Sequence, residues 1–79
     1  MSENEKYMIA DAADMIVGGY AFSRYEENIR VVNLNKAHPG VMLFTPDGVM
    51  LESSMDPIEE TIALQKWQEN REFMEEYSA

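Results

Sequence analysis

The sequence predicts an α+β domain with the element order α-β-β-β-β-α. Two hairpins make a four-stranded antiparallel sheet, with a helix at each chain end, stacked in two or three layers. Three observations carry that expectation. Apolar residues recur at helical spacing ahead of Gly18-Gly19. The tetrapeptide Gly-Val-Met-Leu occurs twice, at residues 40–43 and 48–51, with Phe44 and Thr45-Pro46-Asp47 between the copies. Finally, Asp56-Pro57-Ile58-Glu59 combines a helix N-cap, a proline at the first helical position and a glutamate three residues after the cap.

The first element is expected over residues 3–17. Ser2 and Glu5 form a capping box, and Met8, Ile9, Ala12, Met15 and Ile16 share one stripe with Asp11 and Asp14 outside it. Gly18-Gly19 reads as the stop, because glycine readily takes the left-handed conformation just past a helix end. The stripe is narrow, so this helix should cover a sheet rather than form a centre. Strands 20–25 and 29–34 follow around Glu26-Glu27-Asn28, with Asn28 suited to the left-handed position of a three-residue loop. That register sets Tyr20, Phe22, Val32 and Leu34 on one face and Arg24 opposite Arg30.

Residues 35–40 are a polar connection ending in His38-Pro39-Gly40, a strong turn signal. The repeated tetrapeptide then forms the organising hairpin. Pro46 presets a turn angle and Gly48 closes a three-residue loop, pairing Thr45 with Val49, Phe44 with Met50, Leu43 with Leu51 and Met42 with Glu52. Alternation places Val41, Leu43, Val49 and Leu51 on one face and Met42, Phe44 and Met50 on the other. Both faces are apolar, whereas a hairpin wet on one side alternates apolar with polar. The last helix should span residues 57–77. Its residues Ile58, Ile62, Ala63, Trp67, Phe73, Met74 and Tyr77 spread over about half the circumference at about 100° per residue. Leu64 falls outside even that wide arc.

With 79 residues the chain is expected to be one domain, over residues 1–79, near the size where a single core only just suffices. Lacking cysteine, it has neither disulfides nor a thiolate nucleophile or metal ligand. No basic leader or membrane-length apolar run is present, so the expected location is cytoplasmic. The net charge is -9, and the excess of carboxylates sits at the two ends. Phosphate backbones and acidic lipid surfaces attract clustered Lys and Arg, so nucleic acid and membranes are not expected partners.

Catalytic signals are sparse. His38 is the single histidine and sits in a turn, with no motif placing Ser23, Ser53 or Ser54 as a nucleophile. The glycines follow no phosphate- or dinucleotide-binding pattern. Asp11 with Asp14, and Glu69, Glu72 and Glu76, have the spacing of a solvated helix face, with no alternating oxygen-ligand loop. No enzyme activity, cofactor or metal is therefore expected. Arg24, Arg30 and Lys36 are the basic residues outside the helices and form a weak anion-site candidate, for which a nearby carboxylate is the plainer partner.

The apolar excess is the sharper signal. Met42, Phe44 and Met50 on the hairpin, or Leu64 and Trp67 on the last helix, are the candidate interface, and methionine adapts well to a partner chain. The function expected is a small acidic, non-enzymatic protein-interaction or regulatory domain that self-associates as a homodimer. The alternative is an acidic inhibitor, an antitoxin-like partner or a nucleic-acid mimic that binds a basic protein.

Overall fold

A computed structural model of the chain describes residues 13–77, with side chains described through residue 74. Five strands precede one helix: β1 (Met15–Val17), β2 (Tyr20–Tyr25), β3 (Asn28–Asn33), β4 (Val41–Phe44), β5 (Met50–Ser53) and α1 (Pro57–Tyr77). The strands form one antiparallel sheet in the order β1-β2-β3-β4-β5, and α1 lies across one face of it. The chain is thus a small α+β fold, with five strands among the described residues where four are predicted.

The additional strand comes from the expected first helix. Residues 15–17 are β1 and residues 13–14 are not helical, while residues 3–12 of that helix and its cap residue Ser2 lie outside the described residues. Gly18 and Gly19 have φ of 57° and 82°. Two successive left-handed residues suit the tight turn of a two-residue hairpin, whose twist matches that of its strands. The glycine pair therefore reverses a strand instead of ending a helix. Ile16 and Val17 are β-branched and favour an extended chain, and Met15, Ile16 and Val17 pair with Phe22, Ala21 and Tyr20.

The β2–β3 hairpin also departs from expectation. Its turn has two residues, Glu26-Glu27, and the left-handed position is taken by Glu26 with φ 59°, not by Asn28. Phe22 therefore faces Val31 rather than Val32, and Arg24 faces Ile29 while Arg30 faces Ser23. The two arginines are not cross-strand neighbours. The tighter turn puts Tyr20, Phe22, Ile29 and Val31 together under α1, where all four are buried. A better-filled core outweighs the awkward backbone angle at Glu26.

In the β4–β5 hairpin the Thr45–Val49 closure and the Phe44–Met50 pair agree with the sequence reading. The Thr45 amide donates to the Val49 carbonyl at 2.9 Å, and the Gly48 amide donates to the Thr45 carbonyl at 2.8 Å. Beyond Phe44 a bulge shifts the register, so Leu43 faces Glu52 and Met42 faces Ser53.

Helix α1 starts where its cap predicts. The Glu59 amide donates to Asp56 Oδ1 at 2.8 Å, satisfying one of the orphan amides of the first turn. Ala63, Trp67 and Met74 point into the sheet and are buried, while Ile62 and Leu64 pack at the flanks. Trp67 sits 6.0 Å from Phe22 and 5.5 Å from Phe44, ring centre to ring centre, and Phe22 meets Phe44 edge-on at 6.4 Å. Its indole N–H donates to the Pro46 carbonyl at 2.9 Å, fastening the helix to the β4–β5 turn. Ile58 and Phe73, expected within the apolar stripe, are exposed. On the sheet face away from α1, Ile16, Ala21, Val32 and Val41 form one cross-strand row, and Ala21 and Val32 are buried there.

Candidate functional site

The residues proposed for an interface divide into two groups. Met42, Phe44 and Trp67 are buried inside the chain, so the hairpin face and the helix face cover each other. The apolar excess in the sequence is thus largely consumed within the fold. Of the large apolar residues that stay accessible, three lie together in sequence along β5 and its approach, where Val49 is 59% exposed, Met50 49% and Leu51 48%, while Ile16, Tyr25, Ile58 and Phe73 are exposed elsewhere. Leu64 is partly buried at the edge of the core. On the helical wheel it points about 160° away from Lys66, whose ammonium lies 5.8 Å from the Tyr20 ring on the β1–β2 side. Leu64 therefore turns away from the β1–β2 side. The accessible patch differs from the expected one, gaining Val49 and Leu51 and losing Met42, Phe44 and Trp67.

The three candidate anion-binding residues do not come together. Arg24 donates from Nη2 to the Met74 carbonyl at 3.3 Å, serving the last turns of a helix that has no basic residue of its own there. The Arg24 amide donates to Asp14 Oδ2 at 2.8 Å. Arg30 projects from the other sheet face, with its guanidinium 5.8 Å from the Tyr25 ring. Lys36 lies in the β3–β4 connection and is held by carboxylates.

That last contact belongs to a polar knot that sequence reasoning did not find. Lys36 Nζ bonds Glu59 Oε1 and, at 3.3 Å, Asp56 Oδ2. The buried Asn33 donates from Nδ2 to Glu59 Oε2 at 3.1 Å, so both oxygens of the buried Glu59 carboxylate have partners. Asn33 Oδ1 accepts from the Asn35 amide at 3.0 Å, and Asn35 Nδ2 donates to the Gly18 carbonyl at 3.0 Å. The knot thus ties the β1–β2 turn, the β3–β4 connection and the start of α1 into one corner. The hydrogen bonds that Lys36 donates to Glu59, then to Asp56, raise its pKa above the ordinary value. The backbone amide of Glu59 lowers that of Asp56. Burial, followed by the Glu59 charge, raises that of Tyr20. The available signal was the spacing of Asp56 and Glu59, which reads only as a cap until the fold brings Lys36 and Asn33 alongside.

Catalytic groupings are scarce. His38 is exposed in the β3–β4 connection. Ser53 Oγ accepts the Met55 amide at 3.0 Å, and Ser54 Oγ accepts the Val41 amide at 3.0 Å, so both serve the corner between β5 and α1. Among the described residues no group of three or more His, Asp and Glu is placed to hold a metal ion. An open hollow of about 320 Å³ on the face away from α1 is lined by Val41, Leu43, Glu52, Ser53 and Ser54, which includes one titratable group. No helix among the described residues is long and apolar enough to cross a membrane.

What the geometry offers is an accessible apolar margin beside an outer strand, and a structural polar knot at the opposite side of the helix start. The family model described as a family of unknown function, DUF7723, matches residues 3–74. The chain belongs to the DUF7723 family. No curated protein and no solved structure matches it. Membership in DUF7723 therefore assigns no activity to the β5 margin, and the functional reading rests on the margin's own chemistry.

Proposed function

We propose that this chain is a small acidic protein-interaction or regulatory domain of the cytoplasm, without catalytic activity or cofactor, that self-associates through the β5 margin. The observation that supports this reading is the run Val49, Met50 and Leu51, three consecutive large apolar residues about half exposed at the entry to an outer strand. Covering such side chains gains roughly 1.5–3 kcal/mol for each one fully buried. That gain is a sizeable share of the few kcal/mol by which a domain this small is stable. A two-fold axis beside β5 brings the same patch from each chain together, with Leu64 contributing from the helix flank.

The net charge of -9 opposes close approach of two copies, so association strengthens as salt screens it. Sedimentation equilibrium across protein and salt concentrations tests the reading. Wild type should shift from monomer toward dimer, and Met50→Glu or Leu51→Glu should shift it back while far-UV circular dichroism is unchanged. A wild type that stays monomeric at millimolar concentration, at low and high salt, overturns self-association. The second reading, an acidic inhibitor or mimic, has the acid-rich outer face of α1 in its favour, where Glu69 and Glu72 are exposed. It predicts the opposite salt response: a basic protein retained at low salt and released at high salt.

A further inference from the structure

The outer side of β5 has no strand partner among the described residues, and an apolar edge of that kind pairs readily with another chain. What its backbone presents outward follows from the hydrogen bonds it makes inward. The Thr45 amide donates to the Val49 carbonyl at 2.9 Å and the Val49 amide donates to Thr45 Oγ1 at 3.1 Å, so these two residues turn their backbones toward each other as a bonded pair does. Such pairs alternate with non-bonded ones along an antiparallel ladder. The next pair, Phe44 with Met50, is therefore non-bonded, and the Met50 N–H and C=O point away from β4. At the far end the Ser54 amide donates to the Val41 carbonyl at 2.8 Å, so the adjoining pair, Met42 with Ser53, is also non-bonded. Ser53 likewise turns its backbone outward. Between these positions Leu51 is the extra residue, since Phe44 faces Met50 while Leu43 faces Glu52. Outward groups recur at every second residue of a regular strand, but here Met50 and Ser53 are three apart.

We propose that the Leu51 bulge is a built-in stop against edge-to-edge pairing with a second copy of this chain. It holds the outward backbone groups of Met50 and Ser53 out of phase, so an incoming regular strand engages one of them but not both in a continuous seam. Glu52, at the same place, adds a like charge from each copy. The inference rests on the self-association reading for the margin's importance, and it adds that contact there runs through side chains and stays short.

The test has two arms. In wild type at millimolar concentration, the Met50 and Ser53 amides should both exchange rapidly with solvent deuterium, while the Glu52 amide, facing Leu43, is protected. Deleting Leu51 restores the two-residue spacing. The deletion variant should sediment at twice the monomer mass or more at concentrations where wild type is lighter, with its Met50 and Ser53 amides protected together. Adding Met50→Pro to the deletion removes the outward N–H and should return the mass to that of wild type. A deletion variant that folds, as read by Trp67 fluorescence, and keeps the wild-type mass overturns the stop. So does simultaneous protection of Met50 and Ser53 in wild type, and this second arm decides the matter if the deletion fails to fold. The two readings fail differently: a wild type that is monomeric, with both amides exchanging fast, removes self-association and leaves the stop standing.

Discussion

Phe44 and Met50 face each other across one hairpin, yet the structure gives them very different environments. Phe44 is 0% exposed and meets both Phe22 and Trp67, whereas Met50 is 49% exposed. Replacing a fully buried phenylalanine by alanine costs about 3–5 kcal/mol, from lost transfer energy and the cavity left behind. The edge-on ring contacts place Phe44 toward the upper end of that range, since such pairs contribute about 0.5–1.5 kcal/mol beyond burial. Met50→Ala in the monomer forfeits about half of the roughly 1.5–3 kcal/mol available to a buried methionine, or about 1 kcal/mol. Urea unfolding at low micromolar concentration, followed by the fluorescence of the single tryptophan and by far-UV circular dichroism, separates the two. With a slope of about 1 kcal/mol per molar urea, Phe44→Ala should lower the midpoint by about 3 M or more, and Met50→Ala by about 1 M. Equal costs, or a nearly neutral Phe44→Ala, would refute the assignment of Phe44 to the core. A Met50→Ala cost that grows with protein concentration instead reports association.

Other outcomes follow from the polar knot, the turn and the charge. The lowered pKa of Asp56 contributes stability that is present above its ordinary value of 3.8 and lost as pH falls through the lower folded value. The raised pKa of Lys36 contributes stability that is complete below 10.5 and lost as pH rises through the higher folded value. The contributions of these two groups should therefore be level between those limits, and Asp56→Ala should flatten the acid limb of the urea midpoint against pH. In a double-mutant cycle, Lys36→Met should destabilise the wild-type protein and do less harm beside Glu59→Gln, because the buried carboxylate is then already uncharged. Glu26→Gly should stabilise by about 1 kcal/mol by relieving the left-handed backbone at φ 59°, and an unchanged urea midpoint would count against strain there. Near the sequence pI of about 4.3 the repulsion of the -9 charge vanishes, so light scattering should rise while helix content persists; loss of helix first would contradict this.

Local chemistry made much of this fold legible. Asp56-Pro57 marks the start of α1 because capping and a preset proline angle act within one turn of chain. Thr45 to Val49 closes as read because Pro46 and Gly48 satisfy that loop from within. Met15 to Gly19 was misread because apolar residues spaced three and four apart, followed by glycine, fit a helix end as well as a strand entering a two-glycine turn. Pairing with β2 decides between them. The β2–β3 register was misread because Asn28 suits a left-handed position better than Glu26 does, and the turn alone favours it. The candidate interface residues divide for a related reason: Met42, Phe44 and Met50 alternate alike in sequence, but α1 covers the first two and leaves the third at the rim.

Taken by itself, the sequence determined the mixed α+β class, the long terminal helix with its cap, the two hairpins over residues 20–53 and the acidic charge that shapes any encounter. These depend on interactions within a few residues, or on totals that need no geometry. The tertiary structure alone decided the fifth strand, the two-residue turn at Glu26-Glu27, the bulge at Leu51, the corner joining Lys36, Asn33 and Glu59, and the division of apolar residues between core and margin. Each of these is a contest between local preference and burial, or a meeting of residues distant in the chain. Burying an aromatic or β-branched side chain under Trp67 outweighs the roughly 1 kcal/mol preferences that turns and glycines express locally, and only the assembled sheet shows which positions receive that cover.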